Sequence, residues 1–300
     1  MRIHFSNVNF GSRTGPNTFA HRLASELSTR GFEIVDDRDY DSCLIFIEPS
    51  SRIIPGKRVI QRLDGIWFKP EEFETKNRLI KQTYDSADHI VWQSKFDKNM
   101  TTRHWGDRTG TVINNGIALN GKRRDTGLDD LRKKYDTIFV TSANWHRQKR
   151  LKETIQLFLG FLERGVNGFL IVMGSNPDSS LNHPRIGYTG SLSHDACLGI
   201  YSNADWMIHL GWLDHCPNVV VEALSVGCPV ICTDSGGTHE IVKNSGLVIP
   251  ESFKYDFQLL DYDQPPGLNL DASLPPRPDV DNSHLDIKLV ADAYAKVIIG

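Results

Sequence analysis

No apolar run in this 300-residue chain approaches the roughly 20 residues that a membrane-spanning helix requires. The opening MRIHFSNVNF meets the polar Ser6 and Asn7 too early for a secretory leader. Charge of one sign is also lacking. Lys and Arg number 34 against 37 Asp and Glu, a net charge of −3, which offers no basic field to nucleic acid or anionic lipid. The expectation is a cytoplasmic protein with no nucleic-acid partner and no transmembrane segment, with only a peripheral membrane contact left open. Cysteine is scarce: Cys43, Cys197, Cys216, Cys228 and Cys232 are odd in number and irregularly spaced. Without a C-x-x-C pair or a His-x-x-x-His partner they read as small buried thiols, not as a metal knot or disulfide framework. The first glycine-bearing loop is not G-x-G-x-x-G, which argues against a dinucleotide-dependent dehydrogenase. No nucleophile triad is evident, and no internal sequence repeat.

What remains is ordinary globular material, 39% hydrophobic and 24% charged, long enough for one large or two ordinary domains. Strand patterns at Arg2–Phe5, Ser42–Ile47, Arg58–Ile60, Asp88–Gln93 and Thr111–Ile113 alternate with helical patterns at Thr18–Thr29, Glu71–Ser86 and Lys95–Trp105. In the first of these helices Phe19, Leu23 and Leu27 share one face. The charged, glycine-bearing Gly121–Arg132 interrupts this rhythm. A second series follows, with strands at Thr137–Ser142, Phe169–Met173 and Ile186–Gly190 and helices at Leu151–Arg164 and Ser193–Ser202. After Pro250 the pattern weakens until a last helix over Asp286–Ile299. Such alternation predicts an α/β fold with parallel sheets. The expected domains are 1–121, a linker 122–136, a second domain 137–285, and a C-terminal helix 286–300 packing back toward the first domain.

The stretch His209–Pro250 repeats one physical unit twice: apolar strand, loop of small or acidic residues, then helix. Trp206–Leu210 leads through Trp212–Asn218 to a helix over Val219–Val226, with Glu222 expected in its first turn. Pro229–Thr233 leads through Asp234-Ser-Gly-Gly237 to Thr238–Asn244. Two loops at the carboxyl ends of parallel strands, each opening a helix, make an anion site. Carboxylates beside it suit ligand hydroxyls.

Asp214-His-Cys-Pro-Asn-Val-Val-Val-Glu222, followed by Gly227-Cys-Pro229 and Gly236-Gly-x-x-Glu240, resembles the donor-site signature of retaining GT-B-fold glycosyltransferases of the group 1 family. Two acidic residues with seven between them are that signature's hallmark, and this chain carries Asp214 where Glu is usual. Other pieces resemble the family in order along nearly the whole chain: Gly15-Pro-Asn17, Arg62-Leu-Asp-Gly65, Trp92-Gln-Ser94, Val112-Ile-Asn-Asn-Gly116 and Asn144-Trp-His-Arg-Gln-Lys-Arg150. The resemblance implies an α/β fold of two facing Rossmann-like domains, the GT-B architecture, with a cleft between them.

It also implies transfer of a sugar from a nucleotide-sugar donor to a carbohydrate or lipid-linked acceptor, with retention of configuration, as in polysaccharide biosynthesis. Lys149 matches the basic clamp on the diphosphate; its upstream arginine is replaced by Asn144, leaving Arg147 as the candidate second cation. Charge grows on the β-phosphate as the donor bond breaks, so fixed cations and the backbone N–H groups of Asn218 and Val219 behind Pro217 are the useful catalysts. Glu222 is implied at the ribose and Asp214 at the sugar. Gly236 and Gly237 are implied as close backbone approaches, Gly190 and Ser191 as a wall of the base site, and Gly15 and Asn17 as lying near the donor phosphate and acceptor. Asp64 is the candidate that orients or deprotonates the acceptor hydroxyl.

Each residue also has a plain role: a solvated basic loop, a first-turn acid, a turn aspartate. No cofactor and no metal are expected, because basic residues take the metal's place in this fold. The acidic pairs Asp37/Asp39, Asp39/Asp41, Asp261/Asp263 and Asp279/Asp281 stand away from the motifs. Of the eleven histidines, His209 and His215 lie nearest the chemistry, and both read as structural. The alternatives are a nucleotide-sugar epimerase of the same fold and a non-catalytic nucleotide-sugar or glycan-binding protein.

Overall fold

The structure, a computed structural model, describes residues 1–12, 15–119 and 127–300. Residues 120–126, the end of the expected first domain and the start of the expected linker, lie outside the described residues, as do Arg13 and Thr14 of the first loop. The chain forms two compact units: one of Met1–Ala118, Asp256–Asp261 and His284–Gly300, the other of Leu119–Tyr255 and Tyr262–Ser283. Residues 256–261, expected in the second domain, thus cluster with the first unit.

The first unit runs β1 (Arg2–Ser6), α1 (Gly15–Thr29), β2 (Glu33–Val35), β3 (Ser42–Phe46), β4 (Arg58–Leu63), α2 (Pro70–Lys76), α3 (Arg78–Ser86), β5 (His89–Trp92), α4 (Lys95–Trp105) and β6 (Gly110–Val112). Its strands form a parallel six-stranded sheet in the order β2-β1-β3-β4-β5-β6. Every residue of β3, SCLIF, is buried, the unbroken apolar run of a strand covered on both faces. The single helix predicted over 71–86 is instead two. Asn77 interrupts it, its side-chain Nδ2 donating to the Trp67 carbonyl at 2.6 Å while its Oδ1 accepts the Trp67 N–H at 3.0 Å. An amide that satisfies a neighbouring backbone in this way competes with continued helix.

In the second unit come α5 (Asp129–Arg132), β7 (Thr137–Asn144), α6 (Leu151–Glu163), β8 (Gly168–Ser175), β9 (Ile186–Gly190), α7 (His194–Asn203), β10 (Trp206–His209), α8 (Asn218–Ser225), β11 (Val230–Thr233), α9 (Thr238–Val242) and β12 (Gly246–Ile249). The short helix α5 occupies part of what was expected to be linker. The edge strand β12, GLVI, was not anticipated; four residues after a tight turn carry too little pattern, and pairing with β11 makes it a strand. The last helix, α10 (Ile287–Ile299), returns to the first unit. It packs on α1 through Phe19 and Tyr294, whose ring centroids are 5.9 Å apart, and through Arg30 and Asp292 at 2.6 Å.

The second sheet, also parallel, has the order β12-β11-β10-β7-β8-β9. The chain builds outward from β7 through β8 to β9, then crosses to β10 on the other side. That reversal leaves a crevice between the carboxyl ends of β7 and β10, where open parallel sheets bind ligands. Phe139, Phe158, Phe161, Leu170, Trp206 and Ile208 fill the core beneath it. Among the described residues no helix is long and apolar enough to cross a membrane.

Candidate functional site

After β7 the chain makes one short 3-10 turn, Arg147–Lys149, and Arg150 then enters α6 with a left-handed φ of 56°. After β10 it runs through Gly211 and Trp212 to Leu213, also left-handed at φ 54°, and then to Asp214. Backbone outside the usual regions thus flanks both charged residues, a conformation that persists only where its surroundings over-determine it. The surroundings do so. Trp212 N–H donates to the Gln148 carbonyl at 2.9 Å, and the Gln148 side chain donates back to the Trp212 carbonyl at 2.8 Å. Beneath them the buried Arg150 guanidinium forms two bonds to Glu251, at 2.5 and 3.1 Å, donates to the Pro266 carbonyl at 2.8 Å and lies 5.1 Å from the Trp212 ring.

The result sets Lys149 against Asp214 across the switch point, with Nζ at 2.8 and 2.7 Å from the two carboxylate oxygens. His209 Nε2 stands 2.9 Å from Asp214 Oδ2. Burial disfavours the charge on Asp214, but the Lys149 ammonium and the His209 contact outweigh it and hold the carboxyl well below its usual range. Burial and Lys149 together push the His146 imidazole below its ordinary value.

Two glycines close on Asp214, one on its carboxylate and one on its backbone. A Cβ on Gly211 would meet Asp214 Oδ2 at 2.6 Å and His209 Nε2 at 2.9 Å. A Cβ on Gly236, whose φ is 66°, would meet the Asp214 backbone oxygen at 2.4 Å, and the next N–H, of Gly237, donates to that oxygen at 2.7 Å. Gly236 thus permits a close approach to the Asp214 loop itself.

Helix α8 opens at Asn218 behind Pro217, whose carbonyl accepts the Val220 and Val221 N–H groups at 3.0 and 3.3 Å, and Val219 stands in the first turn at the positive end of the helix dipole. Glu222 lies a turn further on, not in the first turn as predicted, because the helix starts one residue earlier than its apolar pattern indicates. Its carboxylate is therefore beyond the turn in which the helix dipole is felt. It is nearly buried, and His194 Nδ1 of α7 stands 3.4 Å from its Oε1. Gly190 ends β9 in the left-handed region, and Ser191 after it is exposed. Asn144 does not reach this cluster through any bond described; its Oδ1 accepts from Ser175 at 2.9 Å and Asn176 at 3.2 Å. Arg147 is exposed on the 3-10 turn.

Gly15, Asn17 and Asp64 belong to the first unit. Gly15 opens α1, and the Asn17 side chain accepts the Asn9 N–H at 3.0 Å. Asp64 follows β4 and is bonded by the Arg62 guanidinium and the Gln93 amide. Arg62 itself is buried, donates to Asn115 at 2.7 Å and lies 4.6 Å from the Phe19 ring centroid. A carboxylate gripped by a guanidinium in this way is held in one orientation.

Sequence reasoning missed His194, Gln148, Gly211 and the Arg150–Glu251 pair, and took His209 as structural. No spacing signals them: Arg150 and Glu251 are 101 residues apart. Four of the five cysteines are buried, and burial pushes the Cys228 and Cys232 thiols up to about 12. Among the described residues no three or more His, Cys, Asp or Glu side chains are grouped to hold a metal ion.

The fold is that of the GT-B glycosyltransferases. HepE of Anabaena in complex with UDP-glucose superposes with a TM-score of 0.68 at 14% identity, over 100% of this chain and 99% of that one. A sucrose-phosphate synthase of Thermosynechococcus elongatus gives a TM-score of 0.67 at 14% identity, over 99% and 98%. WaaG, a glycosyltransferase involved in lipopolysaccharide biosynthesis, gives 0.61 at 13% identity, over 85% and 87%. Within the fold, residues 129–256 match the profile of the family described as glycosyl transferases group 1. That span holds Lys149, Asp214, Glu222 and both glycines of the 236–237 turn, and with the shared fold it supports glycosyl transfer. No curated protein sequence matches the chain.

Proposed function

We propose that the protein transfers a sugar from a nucleoside-diphosphate sugar to a hydroxyl of a carbohydrate or lipid-linked acceptor, with retention of anomeric configuration. The observation that carries this reading is Lys149 and Asp214 facing each other at 2.7 Å across the switch point, beside the opening of α8. The ammonium and the first-turn amides are fixed positive groups where the leaving diphosphate gathers charge, and their cost of organisation is met in folding. Arg147 on the same turn adds a second, exposed cation. Glu222, nearly buried and past the dipole of its helix, suits two vicinal ribose hydroxyls. Asp214 serves first to aim Lys149, and its carboxylate edge faces the sugar. Asp64 orients the acceptor hydroxyl. These cations take the place of a metal, so EDTA leaves turnover intact; loss on EDTA with recovery on manganese would contradict that.

Like HepE, crystallised with UDP-glucose, the protein is expected to take a uracil-linked donor. The deciding experiment is a donor-hydrolysis screen with UDP-, GDP-, ADP- and CMP-sugars, followed by anomer analysis of the product. At least one donor is hydrolysed, and Lys149→Ala abolishes it. An inverted product would overturn retention alone. Isomerisation of the donor with no acceptor present would move the reading to an epimerase.

A further inference from the structure

The Lys149–Asp214 pair raises a difficulty for the site as proposed. With both carboxylate oxygens bonded to Nζ at 2.8 and 2.7 Å, Lys149 is neutralised before a diphosphate arrives. A carboxylate free to turn with the ammonium would compete with the phosphate for it. His209 removes that freedom. It ends β10 on a fully buried strand, is itself only 5% exposed, and sets Nε2 2.9 Å from Asp214 Oδ2. The space between imidazole and carboxylate is reserved for them, because Gly211 has no room for even a methyl group there. On the other side, the Gly236 backbone lies against the Asp214 backbone. The carboxylate is therefore held by a histidine and packed against Gly211, and its backbone is set by Gly236 and the left-handed Leu213 before it.

We propose that His209 is a positioning residue of the donor site, anchoring Asp214 by Oδ2 so that Lys149 can turn one of its donors to a phosphate oxygen. An ammonium carries three N–H donors. With Oδ2 held by the imidazole, Lys149 keeps Oδ1 and offers the remaining donors to the diphosphate, and Asp214 stays ionised and paired throughout. Without His209, the carboxylate is free to follow the ammonium as it turns toward the phosphate. The inference rests on the functional reading above and adds a residue that acts through Asp214, not on the substrate.

Three variants test it: His209→Leu, which removes the contact; His209→Gln, whose amide N–H falls near the position of Nε2; and His209→Leu combined with Asp214→Asn. Turnover of the donor found in the screen and binding of UDP, GDP and ADP by calorimetry are the readouts, with thermal unfolding as control. His209→Leu is expected to lower kcat roughly tenfold or more, the worth of one hydrogen bond to a charged group, with KM changed less. His209→Gln should recover to within about threefold, and His209→Leu should cost nothing further once Asp214 is Asn.

Equal kcat for His209→Leu and wild type overturns the inference. So does failure of Gln to rescue, or an equal loss in both Asp214 backgrounds, which would make His209 act independently. Should Lys149→Ala also turn over normally, it is the functional reading that falls. If wild type hydrolyses no sugar nucleotide, diphosphate binding decides: weaker binding in His209→Leu but not in His209→Gln supports the inference, and unchanged or undetectable binding overturns it.

Discussion

The two sheets share a design and differ at the point where strand order reverses. In the second unit the reversal falls between β7 and β10, and a cation and a carboxylate meet there. In the first unit it falls between β1 and β3, and the loops are joined by uncharged groups. Ser50 Oγ accepts the Asn7 N–H at 2.8 Å, Ser6 Oγ accepts the Ser50 N–H at 3.1 Å, and the Asn7 amide donates to the Phe46 carbonyl at 2.9 Å. A charged pair in that unit stands at the end of β4, where Asp64 is held by the buried Arg62. The same topological position thus holds an ion pair in one unit and neutral hydrogen bonds between loops in the other. Under the proposed function these correspond to a diphosphate donor and a hydroxyl-bearing acceptor.

The sharpest way to break this contrast is to neutralise each unit's central charge. Lys149→Ala is expected to lower donor turnover by about 100-fold or more, the scale for removing a fixed donor from developing charge. Asp64→Asn, which keeps an acceptor oxygen, is expected to cost about tenfold or less in transfer and nothing in donor hydrolysis. Equal effects on hydrolysis would dissolve the division of roles.

Stability offers a second test. Arg150→Met leaves Glu251 buried without its cation and should cost about 3–5 kcal/mol in urea unfolding. Arg62→Met leaves the more exposed Asp64 and should cost less, about 1–3 kcal/mol. Reversal of that order would mean that the buried pair is not what holds the second unit's loops. Gly236→Ala comes next: a side chain at φ 66°, pressed on the Asp214 backbone, should cost about 1–3 kcal/mol and reduce turnover in step with displacement of Asp214.

The smallest effect is in pH. Burial lowers the His89 and His104 imidazoles of the first unit below 6.5, so the unfolded chain takes up protons there more readily than the folded one. Their contribution is intact above pH 6.5 and fades as pH falls through the folded values. Asp214 is shifted the other way relative to its charge: it favours folding above 3.8 and loses that only below. His146, after β7, gives the second unit a contribution of the same sign, but the first unit has two such imidazoles, so mild acid should loosen the first unit more, seen as earlier hydrogen exchange in β5 and α4 than in β7 and β10. Simultaneous loss would show that other groups govern both.

How much of this was legible follows from what each feature depends on. Alternating strand and helix patterns, the buried apolar runs of β3 and β8, and the Asp214–Glu222 and Lys149 motifs depend on residues close in the chain, so the sequence by itself determined the α/β class and named the candidates for the site. Helix starts and breaks were less secure: the register of α8 moved Glu222 out of its first turn, and Asn77 divided α2 from α3 through a bond to Trp67 ten residues away. The domain limits of 256–261 and the strand identity of β12 needed neighbours distant in sequence.

The stretch His209–Pro250 was recognisable from its own residues as two strand-loop-helix units. Only the tertiary structure decided that Asp214 spends its carboxylate on Lys149 and His209, that Gly211 and Gly236 make room for it, and that Arg150 and Glu251 clamp the turn beneath. The physical reason is that a motif records local spacing, whereas a charge network is chosen by side chains that parallel strands bring together from 60 to 100 residues apart, as the Arg150–Leu210 and Arg150–Glu251 bonds illustrate with separations of 60 and 101.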